Sequence, residues 1–348
     1  MMELDTQDSD NVEGRYFYRQ YRKDLALYGK RDVQGQFVLS EGRDAISSDA
    51  DASGFTLKQT ALKGWQGEWH NSKGKRYPVT LSPLTVAAPA SSLPFMQSLY
   101  QFSPYEYLRH GDVEVRMTKR ETVQGYEIEW WQDPITQVNT FQITSGYTLE
   151  QRERLNAVLR RELWAQASGY HECMMATDYK GEINEDIHIH LLSPSVVSYD
   201  VAISREYCGG AHPDFGIAPT TLRVSDANEL TLEDMLWVGS SPIPDRKTVA
   251  SSDYSYTVFA DWLVKQFTAL YPQEMRKPDE DKKEDIDTCD YSNPDVWGNN
   301  GWYLTPEGIY FYAYFARVMR SCDGADWSIL PWYLVKQHPG RLKDLPLP

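Results

Sequence analysis

The stretch Val196 to Pro213, VVSYDVAISREYCGGAHP, constrains this chain more than any other. Its first half alternates. Val197, Tyr199, Val201, Ile203 and Tyr207 fall on one face, with Ser198, Asp200, Ala202 and Ser204 on the other. A period of two is that of a half-buried β-strand. The strand is predicted to stop at Cys208. Gly209-Gly210 admit positive φ or a close backbone approach, so a sharp turn is expected there. Pro213 then biases His212 toward an extended backbone.

A chain of 348 residues is long enough for two domains. With 41% hydrophobic and 13% aromatic residues it can build a sizeable core. The net charge of −15 argues against a nucleic-acid partner, which needs a basic face, and favours a cationic one. No apolar run reaches the length of a membrane span. Cys173, Cys208, Cys289 and Cys322 form no C-x-x-C pair, so neither a zinc ribbon nor a thioredoxin motif is supported. An even count fits an oxidising compartment. Three pairings are possible. Cys173–Cys208 and Cys289–Cys322 are favoured, because each joins segments read as neighbours.

Residues 1–84 read as an antiparallel meander. Short strands are expected at Arg15-Tyr16-Phe17-Tyr18, Leu25–Gly29, Gln36–Glu41, Phe55–Lys58, Gly64–Trp69 and Tyr77–Leu81, separated by Gly, Asp, Asn and Lys turns. That spacing fits an open sheet or a six-strand barrel. Met1 to Tyr18 reads as the middle of a hairpin, so an export signal and a preceding strand are expected upstream. Residues 85–94 are the linker, and residues 95–348 form the second domain. There, Tyr105–Leu108, Val113–Thr118, Tyr126–Trp131, Thr140–Thr144 and Ile183–Leu191 are predicted strands. Thr148 with Gln151 opens a helix whose stripe is Leu155, Val158, Leu159 and Leu163, with Gly169 as its stop. Thr231 with Asp234 opens a short helix, and another spans Thr257 to Leu270. Met275 to Asp287 is a mixed-charge loop. Trp302 to Val318 is a hairpin across Thr305-Pro306-Glu307-Gly308. On it Ile309, Phe311, Ala313 and Phe315 form a core face, while Tyr310, Tyr312 and Tyr314 form an amphipathic face open to a partner.

Few side chains are spaced for chemistry. His188 and His190 point to one face of a strand and, with His171 or His212 nearby, are weak metal candidates. His171-Glu172 begins like H-E-x-x-H, but Met175 stands where the second histidine is needed. His212 as a general base lacks a marked nucleophile, and no G-x-S-x-G elbow, P-loop or dinucleotide glycine pattern occurs. No cofactor, metal or catalytic residue is assigned.

A resemblance adds to this reading. Tyr207-Cys208-Gly209-Gly210-Ala211-His212-Pro213 is similar to a hallmark of the domain family of unknown function at the C-terminus of the lysozyme-sensing anti-sigma factor RsiV. In that family a strand runs into a GGAH turn. Asn228 to Leu236, NELTLEDML, fits the segment that follows it, and Trp302 to Phe311, WYLTPEGIYF, fits a later one. Leu330-Pro331-Trp332-Tyr333-Leu334 matches the last segment loosely. The glycine- and aromatic-spaced pattern of residues 1–84 resembles a β-rich module of exported bacterial proteins. The likeness implies a periplasmic or extracellular binding domain without a reaction. The partner it implies is a cationic protein, such as a muramidase or a toxin, or a cell-envelope component. No anti-sigma or membrane segment is present, so the signalling role does not carry over.

Together these features predict an α+β protein: a β meander, then an antiparallel sheet with two or three helices on it. Binding contacts are expected at His212, Asp214, Tyr310, Tyr312 and Tyr314. The alternatives are a cell-wall-acting hydrolase and an immunity-type protein that neutralises a co-encoded toxin.

Overall fold

The computed structural model describes residues 1–8, 10–42, 53–174, 181–208, 212–250, 252–278, 288–298 and 301–348. Seven strands open the chain: β1 (Met2–Asp5), β2 (Val12–Phe17), β3 (Asp24–Arg31), β4 (Gln36–Glu41), β5 (Gly54–Gln59), β6 (Trp65–His70) and β7 (Arg76–Leu81). They pair in chain order as one antiparallel meander. The sheet curls around an inner face of Tyr16, Leu27, Phe37, Leu39, Phe55 and Leu57. Gly29 and Gly67 permit the curl. A Cβ at either would lie 1.9 Å from Val38 O or 1.8 Å from Thr56 O, so a side chain there would push adjacent strands apart. Glu41 ties the inside together by accepting from Tyr16 Oη and Trp69 Nε1, both at 2.5 Å. The strand spacing allows either an open sheet or a six-strand barrel. A seventh strand is present, and β1 and β7 remain unpaired with each other, so the sheet is a half-barrel.

Two short helices follow, α1 (Pro94–Phe102) and α2 (Pro104–His110). The strand expected at Tyr105–Leu108 is therefore helical. Extended Ser103 accepts from Glu106 N, and Pro104 sits at the first helical position, a start signal stronger than the local alternation. Next come β8 (Arg116–Val123), β9 (Tyr126–Gln132) and β10 (Asn139–Ile143) as a small antiparallel sheet. The long helix α3 (Leu149–Met174) opens on the expected reciprocal cap: Gln151 N donates to Thr148 Oγ1 and Thr148 N to Gln151 Oε1. It does not stop at Gly169 but runs on to Met174, since Gly169 holds helical backbone without a positive φ.

The central sheet is β11 (Glu182–Leu192), β12 (Val196–Tyr207) and β13 (Asp214–Arg223), in that order. One face meets α3 and β10 through Val197, Tyr199, Leu222, Phe141 and Leu155. The other meets a hairpin sheet of β14 (Gly301–Leu304), β15 (Gly308–Tyr312) and β16 (Ile329–Pro331). So β12 is buried on both faces over its first six residues rather than half-buried. Its polar positions are matched: Ser198 Oγ lies 2.8 Å from Thr221 Oγ1 and accepts from Leu304 N. The largest core packs the Ile309/Phe311 face of β15 against α6 (Ala260–Leu270), as expected for that strand. A turn of π-helix, Ser255–Phe259, leads into α6. The capping segment at Thr231 opens α4 (Leu232–Met235), and α5 (Arg246–Ala250) and α7 (Trp332–Val335) complete the α-helices among the described residues.

The half-barrel is joined to α2 and α3 by buried charge. Asp24 is fully buried and accepts from Tyr105 Oη at 2.8 Å and from the Arg109 guanidinium. Glu106 receives Arg15 at 2.9 Å and Arg109 at 3.2 Å. His110 and His171 lie behind them, their rings 5.0 Å apart. Burial, reinforced by Arg109, pulls both imidazoles down to about 3, so they are neutral. This junction fixes one wall of the cleft described next.

Candidate functional site

Two concavities meet at Glu206, near the end of β12. The smaller, of about 380 Å³, lies between β13 and the β14–β15 hairpin. Arg320 anchors it. Its guanidinium reaches Asp214, the carbonyl of Phe215 and, at 2.6 Å, Asp323. It also lies 4.4 Å from the Phe215 ring centroid and 4.8 Å from that of Tyr314. Burial works against the charge on Arg320, but Asp323 and Asp214 outweigh it and hold its pKa above the ordinary value. The Cys289–Cys322 disulfide holds the segment that carries Arg320.

The larger concavity, of about 660 Å³, runs between the outer face of the half-barrel and the end of α3. Its carboxylates are Glu3, Asp5, Glu13, Glu172 and Glu206, and among the described residues its only arginine or lysine is Arg15. Arg15 is already shared among Glu3, Asp24, Glu106 and Glu172. The cleft therefore carries excess negative charge that its own cation does not neutralise. The Cys173–Cys208 disulfide, with Cα atoms 4.6 Å apart, forms part of its wall and ties α3 to β12. Both disulfides join the cysteines favoured from the sequence.

Of the five expected contact residues, Asp214, Tyr312 and Tyr314 come together in the Arg320 groove. Tyr310 does not reach it. It is buried, its ring stacked 4.4 Å from Tyr303, which in turn lies 3.5 Å from the His190 ring. The tyrosine face of β15 thus turns toward the central sheet and emerges only toward Tyr314. His212 is exposed two residues before Asp214, and the Gly209-Gly210 turn lies outside the described residues. His188 and His190 converge on Asp200, at 3.4 Å and 2.7 Å. The shorter distance is a hydrogen bond and leaves no room for an ion between the two atoms. His171 is at the junction instead. Among the described residues no group of three or more His, Cys, Asp or Glu is arranged to hold a metal ion. No described helix is long and apolar enough to cross a membrane.

The residues that sequence reasoning missed are Arg320, Phe215, Glu206 and the cleft carboxylates. Glu13 and Glu172 stand 159 positions apart, and no local spacing announces their meeting. Arg320 had one signal, its place two residues before Cys322.

Chemically, the groove offers phenol hydroxyls, aromatic faces and a neutralised guanidinium, and the cleft offers carboxylates. Such a surface suits recognition.

The sequence matches no protein-family model and no curated protein. Among solved structures the chain is similar to a member of the DUF3298 family from Bacteroides fragilis, at 13% identity and a TM-score of 0.38. The match covers 66% of this chain and 94% of that one. At that TM-score the likeness carries no argument about function.

Proposed function

We propose that this chain is a non-catalytic binding protein that acts outside the cytosol and recognises a cationic protein. The observation that carries the reading is the cleft in which, among the described residues, five carboxylates face a single, already engaged arginine. The net charge of −15 extends the same field over the whole molecule and would speed encounter with a basic partner. Two disulfides support an oxidising compartment. They also brace both concavities, and a preorganised surface loses less entropy on binding. The resemblance of the GGAH segment to a lysozyme-sensing ectodomain makes a muramidase the first partner to try.

The test is a titration with lysozyme, as a basic protein, at about 20 mM and 150 mM salt. Binding should weaken steeply with salt. The triple variant E13Q/E172Q/E206Q should weaken it by about tenfold or more, since each exposed pair contributes up to about 1 kcal/mol. Binding unchanged by the variant would place the contact elsewhere, and no binding at low salt would remove lysozyme as the partner.

A further inference from the structure

A cavity of about 330 Å³ lies apart from both concavities, between the start of α1, strands β9 and β10, and the first turns of α3. Arg152, Asn156 and Arg160 recur every four residues on α3 and so share one face of it. Asn156 accepts from Ile143 N at 2.8 Å and donates to Ile143 O at 2.9 Å, which seats the helix on β10. The arginines on either side of it line the cavity.

Neither arginine is matched by a carboxylate. Arg152 gives one Nη to the Thr144 carbonyl, and Arg160 gives one to Gln142 Oε1 at 2.8 Å. Among the described residues the other Nη of each bonds nothing. Three more N–H groups around the cavity also lack an acceptor: Arg152 Nε, Arg160 Nε and Trp131 Nε1. All three are donors, so what the place is short of is acceptors. Of the two carboxylates that line it, Glu129 is taken by Arg120, at 2.7 and 2.8 Å. Glu153 alone then faces two guanidiniums, a local excess of positive charge in a chain of net charge −15. Burial pulls the Arg160 pKa below its ordinary value, and Glu153 opposes this without making it up. The apolar wall adjoins the cations. Phe95 and Trp131 have ring centroids 5.1 Å apart, and the Arg160 guanidinium lies 6.0 Å from that of Phe95.

We infer that this cavity binds a small carboxylate that carries an aromatic ring. The carboxylate accepts from both guanidiniums, and the ring packs against Phe95 and Trp131. The groups that anchor the two arginines, on Gln142 and Thr144, stand two residues apart, about 7 Å in extended backbone. One carboxylate that accepts from an Nη of each at about 2.8 Å spans that distance. The volume is at the lower end for ligand pockets, which suits a ligand of one ring. This site is separate from the acidic cleft and uses none of its residues, so the inference does not rest on the cationic-partner reading.

The probe is hydrocinnamate, titrated calorimetrically into the full chain at neutral pH. The controls are hydrocinnamyl alcohol, which has the ring without the charge, and acetate, which has the charge without the ring. Hydrocinnamate should bind at least about tenfold more tightly than either, the worth of hydrogen bonds to a charged group in the first case and of the buried ring in the second. The acid–alcohol comparison uses the unaltered chain, so it does not depend on a variant folding. R152Q/R160Q should bring acid and alcohol to equal affinity. The Trp131 indole N–H resonance, assigned by its loss in W131F, should shift in the same titration. Equal affinity of acid and alcohol in the unaltered chain would overturn the inference, and so would an acid preference that survives R152Q/R160Q. A Trp131 resonance that stays in place would put the ligand elsewhere and overturn it. Acetate binding as tightly as hydrocinnamate would show an adventitious anion only.

Discussion

Acidification from pH 7.5 to 5.0 should loosen the junction between the half-barrel and α2–α3, and the size of the effect follows from His110 and His171. In the unfolded chain an imidazole takes up its proton near 6.5. In the fold both are held at about 3, burial being the larger cause and Arg109 the next. Arg22 also opposes the proton on His110, and the neighbouring ring opposes it on His171. Asp112 favours the proton on His110, and Asp133 and Asp24 favour it on His171, without prevailing. Between pH 6.5 and 3 the unfolded chain therefore binds protons that the native chain refuses. Stability is complete above 6.5 and falls as pH drops through that window. At pH 5.0 each histidine costs about 2 kcal/mol relative to pH 7.5, so the pair costs about 4 kcal/mol. Glu106 acts in the opposite sense. Burial raises its pKa, so its protonation in the fold returns part of the loss at acid pH.

The assay is urea unfolding at a series of pH values, followed by tryptophan fluorescence. Trp164 is a local reporter, its ring 5.7 Å from that of His110. H171F removes one proton site and adds no polar group, and it should roughly halve the slope of stability against pH. An unfolding free energy that is flat from pH 7.5 to 5.0 would refute the reasoning. So would an H171F slope equal to that of the unaltered chain.

D24N should destabilise by about 3–5 kcal/mol in the same urea assay, because it leaves Arg109 buried beside a weakened partner. Replacing Cys173 and Cys208 together by serine should cost about 4 kcal/mol, from the loop of 35 residues that the bridge closes, and the Cys289–Cys322 pair about the same from 33, both read as midpoint shifts in urea. G29A should lower the melting temperature and raise exchange across β3 and β4, since its Cβ would meet Val38 O at 1.9 Å. A G29A protein as stable as the original would mean that the curl does not depend on that close approach.

What was legible in the sequence was what local spacing encodes. The meander was readable because alternation and turn residues recur every few positions, and the Thr148 cap and the β14–β15 hairpin are motifs of four residues. Tyr105–Leu108 folds as helix rather than strand because Ser103-Pro104, the pair that starts a helix, lies directly before it and can be seen to act only once Ser103 is extended and accepts from Glu106 N. The candidate site was only partly readable for a different reason. Asp214 and Tyr314 could be picked out as chemistry-bearing, but Arg320, which gives them a common purpose, reaches Asp214 from 106 positions away.

The same distinction explains β12. Its serine and aspartate positions look like a solvent face, because in a lone strand a polar residue at every second place has water as its partner. Here Ser198 has Thr221 and Leu304, and Asp200 has His190. Polar spacing reports a need for hydrogen bonds, and the rest of the chain decides whether water or protein meets it. The Tyr face of β15 follows from this. Because β12 presents hydrogen-bonding groups rather than a wet surface, a second sheet can close over it. Tyr303 is then spent on stacking with His190 and Tyr310 on stacking with Tyr303, and the tyrosines left at the rim are Tyr312 and Tyr314, which with Asp214 surround Arg320.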